Sequence, residues 1–128
     1  MTDLKVLSIA TDELEASVET FRKNFGFPVT HSSASGVEHV SSALLGIGGA
    51  QIEMTTAAGE GSPVARFLAE RGPGLHQLVL EVDDLEAAAA ELTARDIEVS
   101  IETRPDGRRA GFLSAAQTHG VRIVLVGR

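Results

Sequence analysis

The sequence contains side chains that could move a proton or hold a developing negative charge. Glu53 lies in a predicted strand, 50–56, and its carboxylate could act as a general base. His76 and Gln77 are neighbours in another predicted strand, 75–82, and both could donate hydrogen bonds to an oxyanion. One base on one face is sufficient for isomerisation, cyclisation or elimination. These residue types could therefore support proton transfer.

The same residues also have purely structural interpretations. Glu53 could accept a hydrogen bond from Gln77 and simply bridge the sheet. His76 could pack against neighbours or meet solvent, because successive strand residues point to opposite faces. His39, as a catalytic residue, and Glu38, as a substrate-binding residue, are further candidates in an earlier predicted strand whose register stays open.

A group of arginines could bind an anion. Arg104, Arg108 and Arg109 flank a predicted turn at 105–107, and Arg122 follows on the next predicted strand. On an acidic chain, such a patch could receive a phosphorylated carrier such as CoA, with Arg109 and Arg122 as substrate-binding candidates. The alternative is a hairpin whose arginines only keep it solvated.

Composition narrows the classes of function. The chain has 128 residues, the size of one ordinary domain, and its 43% hydrophobic content is typical of a globular protein. A net charge of −7 argues against nucleic acid, since binding phosphate backbones needs a basic face. The absence of cysteine excludes thiolate ligands and nucleophiles. No apolar run approaches membrane-spanning length and no basic apolar leader is present, so we expect no membrane partner and a cytoplasmic protein.

An internal repeat divides the chain into two related halves. The stretch 10–21 recurs 71 residues downstream as 81–92, and both copies read as the start of an amphipathic helix. Asp12 and Asp83 are the predicted caps of the two helices. Duplicated units often build a ligand site where they meet. The offset also pairs each position in one half with a counterpart in the other.

Hydrophobic periodicity predicts the same order of elements in both halves: strand, helix and three more strands. The predicted strands are 4–10, 27–31, 38–45 and 50–56, with a polar turn at 32–36, and then 75–82, 97–103, 109–114 and 121–126. We expect a single domain, 1–128, with one module at about 1–58, a linker helix at 62–71 and a second module at about 74–128.

Two modules of this order resemble the vicinal oxygen chelate superfamily, which includes glyoxalase, bleomycin resistance and extradiol dioxygenase proteins. The resemblance is closest to methylmalonyl-CoA epimerases. It is carried by the segments 62–68 (SPVARFL), 74–78 (GLHQL), 81–85 (EVDDL), 111–113 (GFL) and 119–121 (HGV). It implies an α+β fold in which two tandem βαβββ modules form a curved, cup-shaped mixed sheet with helices outside.

The resemblance also implies a divalent metal, held by the first and last strands of each module. The corresponding positions here are Val6, Glu53, Gln77 and Val124, which the 71-residue offset pairs as 6 with 77 and 53 with 124. Valine offers no lone pair, and one carboxylate with one amide does not make a tight metal site. We therefore expect neither a metal nor another cofactor.

The leading hypothesis is a metal-independent isomerase or lyase of epimerase-like descent. Glu53 would be the base, and His76 and Gln77 would orient the substrate or hold the oxyanion of a small carbonyl or acyl compound, CoA-linked or free. One alternative is a non-catalytic small-molecule binding or antibiotic-resistance protein. Another is a metal-dependent methylmalonyl-CoA epimerase. The resemblance further implies a homodimer.

Overall fold

The computed structural model describes residues 3–35, 40–57, 61–104 and 106–128. Within them the chain forms eight strands, three α-helices and one short 3₁₀ helix, so the predicted α+β class is confirmed. The strands are β1 (Asp3–Ala10), β2 (Val29–Ser35), β3 (Val40–Ile47), β4 (Ala50–Ala57), β5 (Gly74–Val82), β6 (Ser100–Thr103), β7 (Arg109–Leu113) and β8 (Arg122–Gly127). The α-helices are α1 (Leu14–Phe25), α2 (Pro63–Arg71) and α3 (Leu85–Ala94), and the 3₁₀ helix is Ala115–Thr118. None of these helices is long and apolar enough to cross a membrane.

The repeat seen in the sequence is also a repeat of strand register. In one half the strand order is β2-β3-β4-β1, and in the other it is β5-β8-β7-β6. β1 pairs with β4 in parallel, with Ser8 opposite Glu53. β5 pairs with β8 in parallel, with Val79 opposite Val124, which is the same pair shifted by 71 positions. The predicted offset therefore holds for backbone pairing as well as for residue type.

Contacts group the chain into two compact units. The first unit is Val6–His76, and the second combines the N-terminal residues up to Lys5 with Gln77–Arg128. The start of β1 is grouped with the second unit and α2 with the first, and the modules at about 1–58 and 74–128 stay a prediction. That the whole chain forms a single domain stays a prediction.

The second unit has a compact apolar core. Val82, Leu85, Leu113 and Leu125 are buried together, which places the first residue of α3 against three strands. Gly111 on β7 permits this close approach. A Cβ at that position would lie 2.9 Å from the Val99 side chain and 3.3 Å from that of Leu85. Burial of this kind stabilises a helix whose alanine-rich sequence offers few large side chains.

The predicted helix caps are wrong by one residue. α1 is preceded by Glu13, which makes no side-chain cap bond, and the Thr11 hydroxyl accepts the Glu13 N–H at 3.2 Å. Asp84, not Asp83, caps α3, because its carboxylate accepts the Ala87 N–H at 3.1 Å. At each helix two polar residues precede the first turn. The sequence alone does not show which of the two occupies the N-cap position.

Two predicted strand boundaries are also wrong. The polar turn expected at 32–36 falls within β2, which continues to Ser35 by pairing with β3. β6 begins at Ser100 rather than at 97. A side chain explains the second difference: Gln117 accepts the Glu98 N–H at 2.7 Å and donates to the Glu98 carbonyl at 3.0 Å. The amide satisfies backbone groups that a longer strand would have paired.

Candidate functional site

Glu53 is held by a hydrogen bond from the neighbouring strand. The Ser8 hydroxyl on β1 donates to Glu53 Oε1 on β4 at 2.8 Å. Ser8 is only 1% exposed, whereas Glu53 is half-buried. No described residue hydrogen-bonds Oε2, so within the described part of the chain only one oxygen of this carboxylate is held. Sequence reasoning missed Ser8, since it depends on the register of strands 45 residues apart.

The surroundings of Glu53 are mixed in polarity. Leu44 on β3 lies opposite Glu53 in the antiparallel pair, and Val6 on β1 lies opposite Gln51. Paired residues share a face of the sheet, so the carboxylate has aliphatic neighbours on its own face. Such neighbours reduce the access of water to the base and leave the Ser8 hydroxyl as its fixed polar partner.

His76 and Gln77 point to opposite faces of β5, as successive residues of a strand do. His76 is buried, and its ring packs edge-on against Phe67 of α2 with centroids 5.1 Å apart. Gln77 is half-buried and lies opposite Arg122 in the β5–β8 register. The Gln77 amide makes no hydrogen bond to any described residue. The contact with Phe67 favours packing as the role of His76.

The predicted arginine patch opens onto a cavity in the second unit. The cavity has a volume of about 790 Å³, and its charged lining residues are Lys5, Arg104, Arg108, Arg109 and Arg128 with Glu81, Asp84, Glu86 and Asp106. Arg109 forms an ion pair with Glu86 of α3. Arg122 is not part of this lining. Its guanidinium instead lies 5.3 Å from the centre of the Phe112 ring. The structure therefore brings three of the four predicted arginines together.

Glu81 joins the two ends of the second unit inside this cavity. Lys5 Nζ lies 3.4 Å from one carboxylate oxygen, and Arg128 Nε lies 3.2 Å from the other. Arg128 also reaches Asp83 at 3.4 Å. The hydrogen bond from Arg128, with a smaller contribution from Lys5, lowers the pKa of Glu81 below its ordinary value of 4.5, although burial opposes the shift. Sequence reasoning missed this cluster, because its cations lie at opposite ends of the chain.

Comparison with known proteins identifies the family. Residues 4–125 match the family model of the Glyoxalase/Bleomycin resistance protein/Dioxygenase superfamily. The chain belongs to this superfamily. The predicted resemblance is thus confirmed, over nearly the whole chain.

Several members of the superfamily that resemble the chain are epimerases. The mitochondrial methylmalonyl-CoA epimerase of Dictyostelium discoideum is 31% identical over 95% of this chain and 76% of the relative. A methylmalonyl-CoA epimerase structure from Mycobacterium tuberculosis is 28% identical, with a TM-score of 0.85, over 98% of this chain and 87% of that one. A methylmalonyl-CoA epimerase solved with methylmalonyl-CoA and NH4+ is 29% identical, with a TM-score of 0.84, over 99% of this chain and 94% of that one. The chain is thus an epimerase-like member of the superfamily.

The metal that the superfamily implies does not fit the residues of this chain. Val6 and Val124 have no donor atom, and Glu53 already accepts the Ser8 hydroxyl. In the second unit the pair equivalent to Ser8 and Glu53 is Val79 and Val124, which is wholly aliphatic. Across the described ranges, no group of three or more acidic or histidine side chains could hold a metal ion. Of the four positions that the resemblance assigns to a metal, only Glu53 and Gln77 carry a side chain with a lone pair for a divalent cation.

Two candidates lie outside the described residues. Glu38 and His39 fall between Ser35 and Val40, where the structure describes no residue. Their assignment as substrate-binding and catalytic residues stays a prediction.

Proposed function

We propose that this protein moves a proton next to the carbonyl group of a CoA-linked acyl compound, without a metal ion, in an isomerase or lyase type of reaction. The hydrogen bond from Ser8 to Glu53 carries the proposal, because it orients a carboxylate that could act as a general base. The epimerase relatives support the substrate class, since one of them is solved with methylmalonyl-CoA bound.

In the proposed reaction Glu53 Oε2 accepts the proton on the carbon next to the carbonyl group. Ser8 donates to Oε1 throughout, which holds the carboxylate plane in one orientation. The carbonyl oxygen gains negative charge as the proton leaves. Stabilisation of that charge by the Gln77 amide stays a prediction from the sequence. Direct donation by His76 stays a prediction, and its burial against Phe67 favours a packing role.

A single base limits which reactions are open to the protein. The second-unit counterpart of Glu53 is Val124, which is 3% exposed and has no group that can return a proton. Epimerisation by two opposed carboxylates is therefore unavailable from this pair. Proton removal and return on one face, as in isomerisation, cyclisation or elimination, needs only Glu53.

The experiment that tests this function is deuterium exchange into short-chain acyl-CoA thioesters in D₂O, followed by mass spectrometry. The wild-type protein is expected to catalyse exchange, and Glu53→Gln is expected to abolish it while keeping the shape of the side chain. Glu70→Gln is the matched control, because Glu70 is an exposed carboxylate of α2 within the same unit. Undiminished exchange in Glu53→Gln would remove Glu53 from the role of base.

The same experiment decides the binding alternative. A protein that shows no exchange with any acyl-CoA, while CoA raises its melting temperature, is a binding protein and not an enzyme. The homodimer and the cytoplasmic location stay predictions from the resemblance and the sequence.

A further inference from the structure

The turn between β6 and β7 is tied by its own backbone. The Arg104 N–H donates to the Arg108 carbonyl at 2.7 Å, and the Gly107 N–H donates to the Arg104 carbonyl at 2.9 Å. Asp106 accepts the Arg108 N–H at 2.9 Å. Gly107 has a φ of +85°, a conformation that favours glycine. These bonds hold the backbones of Arg104 and Arg108 next to each other, at the wall of the cavity.

These two arginines differ from the other cations of the cavity. Arg109 is paired with Glu86, while Arg128 and Lys5 are paired with Glu81. The side chains of Arg104 and Arg108 bond none of the residues that the structure describes. A guanidinium stays charged at any pH at which the protein is folded. Two guanidiniums without an ion-pair partner among the described residues therefore line the same cavity, on a chain whose net charge is −7.

The rest of the cavity suits a small organic anion better than a polymer. Its volume of about 790 Å³ lies within the range of small-molecule sites, and Val79, Leu85 and Val126 contribute apolar walls. Four carboxylates surround the same space. They would repel the extended negative charge of a nucleic acid, whereas one phosphate group reaches only the nearest cations.

We propose that Arg104 and Arg108 form a phosphate site for the nucleotide part of a CoA-linked ligand. This site rests on the proposed function for the identity of its ligand. Two planar guanidiniums can each donate paired N–H groups to phosphate oxygens, which favours phosphate over a singly charged carboxylate. The sequence predicts Arg109 and Arg122 as the residues that bind the anion, but Arg109 is paired with Glu86 and Arg122 lies against the Phe112 ring. We therefore assign the anion to the two arginines of the turn instead.

The ion pair between Arg109 and Glu86 beside this site allows a second test, in which phosphate binding is expected to become tighter rather than weaker. Glu86 neutralises the charge of Arg109 and adds a negative charge to the cavity wall. Glu86→Gln would release Arg109 and remove that charge. The change is expected to tighten phosphate binding, whereas loss of a purely structural ion pair would leave binding unchanged or weaken it.

The experiment is calorimetric titration of the whole protein with CoA. The double variant Arg104→Ala/Arg108→Ala is expected to raise the dissociation constant at least about tenfold, since a charge-assisted hydrogen bond is lost from each arginine. The control is Arg66→Ala/Arg95→Ala, which removes two exposed guanidiniums outside the cavity, one on α2 and one, paired with Glu91, just after α3. Unchanged CoA affinity in the cavity variant, or an equal loss in the control, would overturn the site.

Ligand fragments identify which phosphate is bound. A loss of affinity confined to CoA, and absent with 3′-dephospho-CoA, assigns the site to the 3′-phosphate. An equal loss with both ligands assigns it to the diphosphate. Inorganic phosphate that binds as tightly as CoA, with the same dependence on the two arginines, would overturn the assignment to a CoA carrier.

Exchange kinetics separate this site from the proposed reaction. With acyl-CoA, the cavity variant is expected to raise KM and keep kcat. With an acyl-pantetheine, which has no phosphate, the cavity variant is expected to have the same KM and the same kcat as the wild-type protein. If neither the wild-type protein nor the variants catalyse exchange, the proposed function is wrong. The calorimetric titration still shows whether Arg104 and Arg108 bind phosphate.

Discussion

Ser8 and Glu53 lie opposite each other in parallel strands and share a hydrogen bond of 2.8 Å. The pair recurs, by the offset of 71 residues, as Val79 and Val124. One half of the duplication therefore carries a fixed carboxylate where the other half carries two aliphatic side chains. This asymmetry, within a repeated backbone, is the basis of the proposed one-base chemistry.

Ser8→Ala tests whether the serine positions the base. The variant is expected to lower kcat for proton exchange about tenfold and to leave KM nearly unchanged, because the oriented carboxylate loses one charge-assisted hydrogen bond. Ser8→Thr, which keeps the hydroxyl, is expected to recover much of the rate. Steady-state exchange kinetics measure both constants. A change in KM alone, or no recovery with threonine in a protein that folds normally, would contradict the positioning role.

The Glu81 cluster predicts how stability depends on pH. Arg128 and Lys5 lower the folded-state pKa of Glu81, so its stabilising contribution is present above the ordinary carboxyl pKa of 4.5 and is lost as pH falls through the lower folded value. Urea unfolding between pH 7 and pH 3 measures this dependence. Glu81→Gln is expected to flatten the acid limb of the curve. Glu70→Gln, whose carboxylate is exposed, is the control, and an equal flattening there would contradict the assignment.

Gly111 is predicted to be intolerant of any side chain. Gly111→Ala would place a methyl group 2.9 Å from Val99 and 3.3 Å from Leu85, and the crowding is expected to cost about 1–3 kcal/mol of unfolding free energy. Val99→Ala in the same chain is expected to recover part of that loss, because it removes the nearer contact. Chemical denaturation of the single and double variants measures the coupling. Strictly additive losses would show that the crowding lies elsewhere.

The Gln117 side chain is predicted to act as a backbone partner for Glu98. Gln117→Ala is expected to destabilise the protein by about 1–2 kcal/mol, because two amide hydrogen bonds are lost at one position. Hydrogen exchange at the Glu98 N–H gives the specific readout, since its protection should disappear. Ala116→Gly, on the same 3₁₀ helix, is the control for general loosening of the segment. Protection that persists in Gln117→Ala would contradict the contact.

Local patterns in the sequence predict the elements of the fold well. The 71-residue repeat places α1 and α3 at equivalent positions, Leu14 and Leu85, because each helix has its own apolar stripe. The turn residues at 105–107 bring Arg104 and Arg108 together, since a tight turn joins residues that are already close in sequence. Such features depend on neighbours along the chain, and periodicity and turn chemistry are enough to find them.

Features that depend on pairing between distant segments are not predicted. Ser8 reaches Glu53 only through the register of β1 with β4, and Arg128 reaches Glu81 only when the chain end returns to β5. β6 is shorter than predicted because the Gln117 amide takes the place of a strand partner. In each case a polar side chain has several possible hydrogen-bond partners in the sequence. Tertiary packing, rather than local preference, determines which partner it contacts.

The central claim is that Glu53 removes a proton without the help of a metal ion. The most direct measurement is deuterium exchange into an acyl-CoA by wild-type protein that has been treated with a chelator and shown by elemental analysis to be free of metal. Exchange is expected to be undiminished by the treatment, insensitive to added Co²⁺ or Mn²⁺, and lost in Glu53→Gln. Exchange that disappears with the metal and returns with stoichiometric Co²⁺ would contradict it.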